Sequence, residues 1–232
     1  MNLKNKRLLV VGLCLVMIFS LSGCGDKKEK TYQNYVKSLI AINYLGATED
    51  YINSTGANKA DAEALYNENM EHLANNILAY YHVTISDVSD AKKGYIELAK
   101  SIYSKVNYKV SPAKKSGDSY TVDVTIYPIN IFTQTHDQVL AYVEKFNTEV
   151  ANGAYNDYTL EQYESTFSDG LLTILNDGCL NMTYADPVVI TVTIIEEGDI
   201  YYISDEDFLA IDAAMISTAE PISTASPTDA VQ

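Results

Sequence analysis

The chain has 232 residues and carries 16 lysines and arginines against 31 aspartates and glutamates, a formal net charge of −15. This acidity disfavours nucleic acid and anionic lipid headgroups as partners, because both are bound by basic surfaces. A hydrophobic content of 47%, with 19 tyrosines, excludes a largely disordered chain and is sufficient for a folded core.

The N-terminus has the layout of an export signal. Lys4, Lys6 and Arg7 precede an apolar run over residues 8–19. A run of this length is too short for a membrane-spanning helix and is typical of a secretory leader. We therefore expect the leader to direct the protein out of the cytoplasm.

Residues 21–24, Leu-Ser-Gly-Cys, resemble the bacterial lipobox, in which the cysteine is diacylated and becomes the new N-terminus. The resemblance implies that residues 1–23 are removed as a lipoprotein signal peptide and that Cys24 carries the lipid. Two acyl chains give stable attachment where one does not, since each buried methylene contributes about 0.8 kcal/mol. The mature protein, with 13 lysines against 31 acids, is expected on the extracytoplasmic face of the cell membrane.

Cys179 is the one cysteine that this processing leaves free, because Cys14 is in the leader and Cys24 is acylated. No histidine is near Cys179 in sequence, although the histidines at 72, 82 and 136 could approach it through the fold. We interpret Cys179 as a small buried thiol and not as a nucleophile.

After the lipidated cysteine, residues 24–30 are predicted to form a short charged spacer. From Thr31 onward, apolar residues recur at 3.6-residue spacing, which predicts helices. The first is interrupted at Gly46, the second is capped by Asn58, and the third begins near Ser89. Three successive amphipathic helices require a shared apolar surface to pack against.

Two predicted hairpins supply that surface. Residues 106–110 and 120–127 form the first, in which apolar and polar side chains alternate along the second strand. Residues 188–195 and 200–203 form the second, joined by a short turn that contains Gly198. Because a lone two-stranded hairpin is marginal in water, we expect both hairpins to pair into one antiparallel sheet.

Two helices are predicted between the hairpins. Thr135 with Gln138, and Thr159 with Gln162, have the spacing of a capping box, so each threonine is expected to begin a helix. Helices followed by a hairpin therefore occur twice in the chain. This plan predicts an α+β fold with the helices packed on one face of a curved antiparallel sheet.

The domain boundaries follow from composition. Residues 31–216 are predicted to form a single α+β domain with one cooperative unfolding transition, ending in a short helix capped by Ser204. Residues 217–232 are mostly serine, threonine, alanine and proline, and we expect a disordered tail there.

Four short segments resemble a family of small exported lipoproteins of Gram-positive bacteria that is known as a domain of unknown function. They are Tyr-Val-Lys-Ser-Leu at 35–39, Asn-Tyr-Leu-Gly at 43–46, Tyr-Ile-Glu-Leu at 95–98 and Ile-Tyr-Ser-Lys at 102–105. The resemblance covers most of residues 31–205. It implies a cell-surface location and an α+β fold similar to cystatin-like or nuclear-transport-factor-like cones, and it brings no catalytic residue with it.

Candidate metal ligands have simpler explanations. Glu68 and His72 lie one helical turn apart, which suits a zinc pair, but no third ligand is placed by sequence and a surface pair is preferred. The acids at 196, 197, 199 and 205–207 could hold Ca²⁺. Acids at a helix start are, however, favoured by the helix dipole alone. We therefore assign no catalytic, cofactor-binding or metal-binding residue.

Tyrosine is the residue type in excess. Seven tyrosines near predicted element ends could rim a binding cleft, since tyrosine offers a large amphipathic contact. They are Tyr80, Tyr81, Tyr155, Tyr158, Tyr184, Tyr201 and Tyr202. The alternative interpretation is that they fill half-buried boundaries of helices and strands.

These observations predict a lipid-anchored surface module without catalysis, which recognises a cell-envelope component or another protein and not nucleic acid. A first alternative is a cell-wall polymer hydrolase with two carboxylates facing each other across a pocket. A second is a structural subunit of an envelope complex, which would expose a large apolar patch.

Overall fold

The computed structural model describes residues 17–18, 25–85, 90–198 and 200–218. Cys24 lies outside the described residues, as does most of the leader, so the predicted lipidation stays a prediction. The tail predicted to be disordered is outside them from residue 219 onward. Ser217 still belongs to the folded part, since its backbone N–H donates to the carbonyl oxygen of Ile129 at 2.9 Å.

The described residues form seven helices and six strands. The helices are α1 (Gly25–Leu45), α2 (Thr48–Thr55), α3 (Lys59–Tyr80), α4 (Asp90–Tyr103), α5 (Ile131–Ala151), α6 (Leu160–Cys179) and α7 (Asp205–Ala214). The strands are β1 (Met17–Ile18), β2 (Asn107–Val110), β3 (Lys114–Ser116), β4 (Ser119–Tyr127), β5 (Val188–Glu197) and β6 (Ile200–Ile203).

The predicted α+β class is confirmed, with helices packed against a curved antiparallel sheet. The strand order is β1-β6-β5-β4-β2, and β3 also pairs with β4. The two predicted hairpins join through β4 and β5, which align from Tyr120 opposite Ile194 to Ile126 opposite Val188. The prediction that both hairpins share one sheet is therefore confirmed.

The chain divides into two compact units of three segments each. The first consists of Met1–Asn69, Val106–Pro128 and Ala185–Met215, and the second of Met70–Lys105, Ile129–Tyr184 and Ile216–Gln232. Neither unit corresponds to one half of the chain, so the two helices-then-hairpin stretches are not separate domains. The single domain predicted over residues 31–216 stays a prediction.

The first unit contains the whole sheet together with α1, α2 and α7. Its core lies between the apolar face of α1 and the inner face of β4, where Val122, Val124 and Ile126 are buried. The residues between them, Thr121, Asp123 and Thr125, are only partly buried. This alternation is the period of two that a strand with one buried face requires.

Helix α1 begins at Gly25, earlier than the predicted start at Thr31, so residues 25–30 of the predicted spacer are helical. Two contacts with the sheet region hold this first part of the helix. The carbonyl oxygen of Glu29 accepts from the N–H of Ala113 at 3.3 Å, and Lys28 lies 3.2 Å from the Glu196 carboxylate. Residues 25–30 contain no large apolar side chain, so apolar periodicity could not reveal them as helical.

The two predicted capping boxes have different outcomes. At α6 the box is present: Gln162 N–H donates to Thr159 Oγ1 at 3.2 Å, and Thr159 N–H donates to Gln162 Oε1 at 2.9 Å. At α5 the prediction is wrong, because the helix begins at Ile131 and Thr135 is inside it. Thr135 is buried and its hydroxyl donates to the Ile131 carbonyl at 2.7 Å, the interaction that a threonine makes within a helix.

The second unit consists of α4, α5, α6 and the latter part of α3. Close packing of α5 against α6 depends on Gly170, because a Cβ there would overlap the Tyr142 hydroxyl. That hydroxyl donates towards the carbonyl oxygens of Thr166 and Phe167, at 3.1 and 3.0 Å. A glycine in the helix interior costs stability in isolation, and here it makes room for the tyrosine ring.

Candidate functional site

A cavity of about 440 Å³ lies in the first unit, which is within the usual size of a small-ligand site. Helices α1 and α2 and strand β6 supply its described lining. The lining residues are Thr31, Asn34, Lys37 and Ser38 of α1, Asp50, Asn53 and Ser54 of α2, and Tyr201 of β6.

The residues that line the cavity are of polar types because two helices turn polar faces towards each other, but carbon atoms form more of its surface than polar atoms do. On α1, Thr31, Asn34 and Ser38 recur at helical spacing, on a different face from the buried Tyr32 and Val36. Helix α2 likewise presents residues one turn apart. The polar side chains of α1 can therefore line the cavity while its apolar side chains pack in the core of the first unit.

A short turn and a pair of serines fix the two helices against each other. Gly46, with a φ of 64°, occupies the left-handed region between α1 and α2. The Ser54 hydroxyl donates to Ser38 Oγ at 2.6 Å, and the Ser38 hydroxyl donates to the carbonyl oxygen of Tyr35 at 2.9 Å. The cavity wall is therefore held by hydrogen bonds as well as by packing.

The lining combines hydrogen-bond donors and acceptors with one group of each charge. Asn34 and Asn53 each offer a carboxamide, while Lys37 and Asp50 supply an ammonium and a carboxylate. The two formal charges of this set cancel, and its other polar groups can both donate and accept hydrogen bonds.

A cluster around Glu196 adjoins Tyr201 through the ring of Tyr32. The Tyr32 and Tyr201 rings meet edge to face with centroids 4.9 Å apart, and the Tyr32 hydroxyl donates to the Glu196 carboxylate. Lys28 lies 3.2 Å from the same carboxylate and 5.9 Å from the centroid of the Tyr120 ring. These contacts connect α1 with β4, β5 and β6.

The electrostatics of the cluster follow from these contacts. Burial disfavours the charged form of Glu196, but the hydrogen bonds from Tyr32 and Lys28 outweigh burial and hold the pKa of Glu196 below its ordinary value of 4.5. Burial raises the pKa of Tyr32, and the neighbouring Glu196 raises it further. Glu196 is therefore a carboxylate, and Tyr32 a neutral donor, at neutral pH.

Strand β1 borders the same region and was not predicted. Met17 pairs with Tyr201 and Ile18 with Ile200, and β1 also contacts α2. The sequence analysis predicted no strand here because residues 1–23 are expected to be a leader and not part of the fold. The segment occupies the β6 edge beside elements that line the cavity.

Of the seven tyrosines considered as a possible cleft rim, Tyr201 lines the cavity and the other six have different surroundings. Tyr80 and Tyr81 pack on Phe132, with centroids 4.4 and 5.4 Å away. Tyr155 and Tyr158 pack on each other at 5.2 Å. The hydroxyl of Tyr184 donates to the Lys105 carbonyl at 2.6 Å, and that of Tyr202 to Glu197 at 2.7 Å.

The acids considered as calcium ligands make other contacts. Glu196 and Glu197 accept from tyrosines, and Asp207 accepts from the Thr193 N–H at 2.9 Å. Asp199 lies outside the described residues. Among the residues that the structure describes, no group of three or more histidine, cysteine or acidic side chains could hold a metal ion.

The remaining candidates also have local explanations. His72 lies with its Nε2 atom 3.3 Å from Nδ2 of Asn76, one turn away on the exposed surface of α3. Burial raises the pKa of Cys179 to about 11, so this half-buried thiol is protonated at neutral pH and a poor nucleophile.

Fold and cavity together define an α+β protein with a pocket, lined by polar residue types, between two helices and a strand. No model of a known protein family matches the chain, and no curated protein matches it either. Within the described part of the chain, no helix is both long and apolar enough to cross a membrane.

One solved structure is similar, a protein from Bacillus subtilis described as a "putative lipoprotein (ycdA)". The TM-score is 0.56 at 17% sequence identity, and the match covers 94% of this chain but 61% of that one. The chain thus spans less than two thirds of the length of that protein. At this identity the similarity shows the fold alone, and the predicted likeness to cystatin-like or nuclear-transport-factor-like cones stays a prediction.

Proposed function

We propose that the protein is a lipoprotein, anchored through Cys24 on the extracytoplasmic face of the membrane, whose domain binds a cell-envelope component or another protein without catalysis. The anchor assignment is supported by the order of sequence features at the N-terminus: basic residues, a short apolar run and Leu-Ser-Gly-Cys at 21–24. The fold shared with a protein described as a lipoprotein supports the same class.

The start of α1 supports an anchor that lies close to the domain. Because α1 begins at Gly25, a lipid on Cys24 would be attached directly before the helix. Lys28 and Glu29 in its first turns already contact Glu196 and Ala113. The anchored domain would therefore have little freedom to move away from the membrane.

The cavity supports a binding role. The cavity lining offers carboxamides, hydroxyls and a single pair of opposite charges. Such a lining would select a ligand by its shape and hydrogen-bond pattern more than by its net charge. A wall hydrolase would need two carboxylates facing each other across the pocket. Asp50 is the carboxylate among the described lining residues, so this cavity gives the hydrolase alternative no specific support.

Metabolic labelling with a fatty acid tests the anchor. Wild type and Cys14→Ala, which changes the cysteine within the leader, should incorporate label and fractionate with membranes. Cys24→Ala should incorporate none and should keep residues 1–23, because the acylated cysteine is what the lipoprotein signal peptidase requires. Equal labelling of Cys24→Ala and wild type would refute the assignment.

A turnover assay tests the absence of catalysis. The processed protein, extracted from membranes in detergent, is incubated with purified wall glycan, and released fragments are analysed by mass spectrometry. We expect none above the level of a heat-denatured sample. Products that accumulate in proportion to protein concentration would favour the hydrolase alternative.

A further inference from the structure

We propose that the edge of β6 now covered by β1 is a docking site for an extended apolar segment of another protein, which binds by adding a strand to the sheet. This deepens the proposed function and rests on it, because the edge opens only when residues 1–23 are removed. The inference names the ligand class of the binding module: a peptide in extended conformation.

The position of β6 in the sheet provides the first argument. On one side β6 pairs with β5, from Ile203 opposite Ile194 to Ile200 opposite Glu197. On the other side it pairs with β1, which belongs to the leader. Cleavage before Cys24 would remove β1 and expose one side of β6, and an open strand edge is a ready template for another extended chain.

The segment that occupies the edge indicates what fits there. Residues 17–18 come from the apolar run over 8–19, and their backbone is extended and antiparallel to β6. The site therefore accepts an apolar strand as an intramolecular partner. In strand addition, main-chain hydrogen bonds supply affinity and pockets for alternate side chains supply specificity.

The cavity provides such a pocket. Tyr201 belongs both to the β1–β6 pairing and to the cavity lining, and α2, which β1 contacts, contributes Asp50, Asn53 and Ser54 to that lining. Removal of β1 would therefore leave a groove with a strand edge on one side and polar helix residues on the other. Alternate side chains of an added strand would face this cavity and solvent.

Charge favours a foreign peptide over a second copy of the chain. Glu196 and Glu197 precede β6, and Asp205 and Glu206 follow it. Antiparallel pairing of two β6 strands would bring the acids of one copy beside those of the other, which is destabilising. A peptide with lysines beside its apolar residues would meet Glu197, Asp205 and Glu206 favourably, since Glu196 is already paired with Lys28.

The test uses processed wild-type protein extracted from membranes in detergent, with its N-terminus checked by mass spectrometry. The probe is a fluorescent synthetic peptide of residues 15–20, Leu-Val-Met-Ile-Phe-Ser, with a lysine at each end. The matched control peptide carries N-methyl groups at the positions of Met17 and Ile18, which keeps the side chains and removes two backbone donors. Binding is followed by anisotropy, and amide hydrogen exchange reports on residues 200–203.

We expect saturable binding of the probe, slower exchange of residues 200–203, and about tenfold or more weaker binding of the N-methylated peptide. The unprocessed Cys24→Ala precursor in the same detergent should bind the probe about tenfold or more weakly, because its own residues 17–18 cover the edge.

Three results on the processed protein would overturn the proposal: no binding, equal binding of both peptides, or dimerisation through residues 200–203 in the absence of peptide. Residues 1–23 still present on the extracted wild-type protein would refute the anchor assignment and this inference together. A correctly processed protein that does not bind the probe refutes this inference alone.

Discussion

At the scale of single residues, Glu196 is the group through which α1 is attached to the sheet. Its carboxylate accepts from Tyr32 and pairs with Lys28, and its side chain is 34% exposed. Partial exposure means that solvent weakens the ion pair, so the hydrogen bond from the fully buried Tyr32 is the more important contact. Sequence patterns gave no indication of this contact, because Glu196 is 164 positions from Tyr32.

Replacing Glu196 by glutamine should make the stability of the protein less dependent on acid pH. The pKa of Glu196 is lower in the folded state than its ordinary value of 4.5, so its stabilisation is present above that pH and is lost as the pH falls through the folded-state pKa. At pH 7, Glu196→Gln should lower the free energy of unfolding by about 1 kcal/mol. Urea denaturation at pH 7 and pH 3 should show that the difference from wild type shrinks in acid.

Tyr32→Phe supplies the matched control for that measurement. It removes the hydroxyl that donates to Glu196 and keeps the ring contacts with Tyr120 and Tyr201. The double variant should lose less stability than the two single losses added together, since both remove one interaction. Strict additivity, or a difference from wild type that grows in acid, would contradict the role assigned to Glu196.

At the scale of elements, the helix starts show where local signals are sufficient. The capping box at Thr159 works because both of its hydrogen bonds are made between residues three apart, with no help from the rest of the protein. The same spacing at Thr135 is overridden, because Ile131 and Phe132 are buried and extend α5 towards the N-terminus. The burial of these apolar residues, and not the capping-box spacing, therefore determines where α5 begins.

Thr159→Ala should lower the free energy of unfolding by about 1 kcal/mol, because α6 loses the side-chain acceptor for the Gln162 N–H. Chemical denaturation measured by far-UV circular dichroism checks this value. Thr173→Ala is the control in the same helix: its hydroxyl bonds to the Asp169 carbonyl within the helix, and alanine is the better helix former. Equal losses in both variants would show that the cap has no special contribution.

At the scale of the whole molecule, the sheet joins strands from both halves of the sequence. The central pairing, β4 with β5, brings Val122 opposite Val192 and Val124 opposite Ile190. Val122 and Val192 are fully buried, so this pairing is part of the core of the first unit. Cutting the chain between the hairpins would therefore expose apolar strand surface on both fragments.

Neither half of the chain should fold alone, whether fragment 25–132 or fragment 133–216. The first fragment starts at residue 25 because α1 starts there. Fragment 133–216 would keep only β5 and β6 of the described sheet, and a two-stranded hairpin is marginal in water. Near-UV circular dichroism should show no fixed tertiary structure in either fragment, and mixing them in equal amounts should restore part of the signal. A cooperative unfolding transition in one isolated fragment would contradict this prediction.

The sequence by itself determined the features that depend on neighbours along the chain. Apolar spacing of 3.6 and 2 residues marked most helices and both hairpins, and the marginal stability of a lone hairpin predicted the shared sheet. The box at Thr159 was readable because its partners are local. The lipobox-like segment at 21–24 is likewise a linear pattern, and the processing that it predicts depends on no fold.

Only the tertiary structure decided which distant residues meet. The cavity combines positions 31–38, 50–54 and 201, and the edge of β6 is covered by residues 17–18. Periodicity specifies which face of a helix or strand is buried, but not which other element covers that face. Contacts such as Tyr32 with Glu196 depend on how the elements pack in three dimensions, which is why the sequence predicted the α+β class and left the candidate site undetermined.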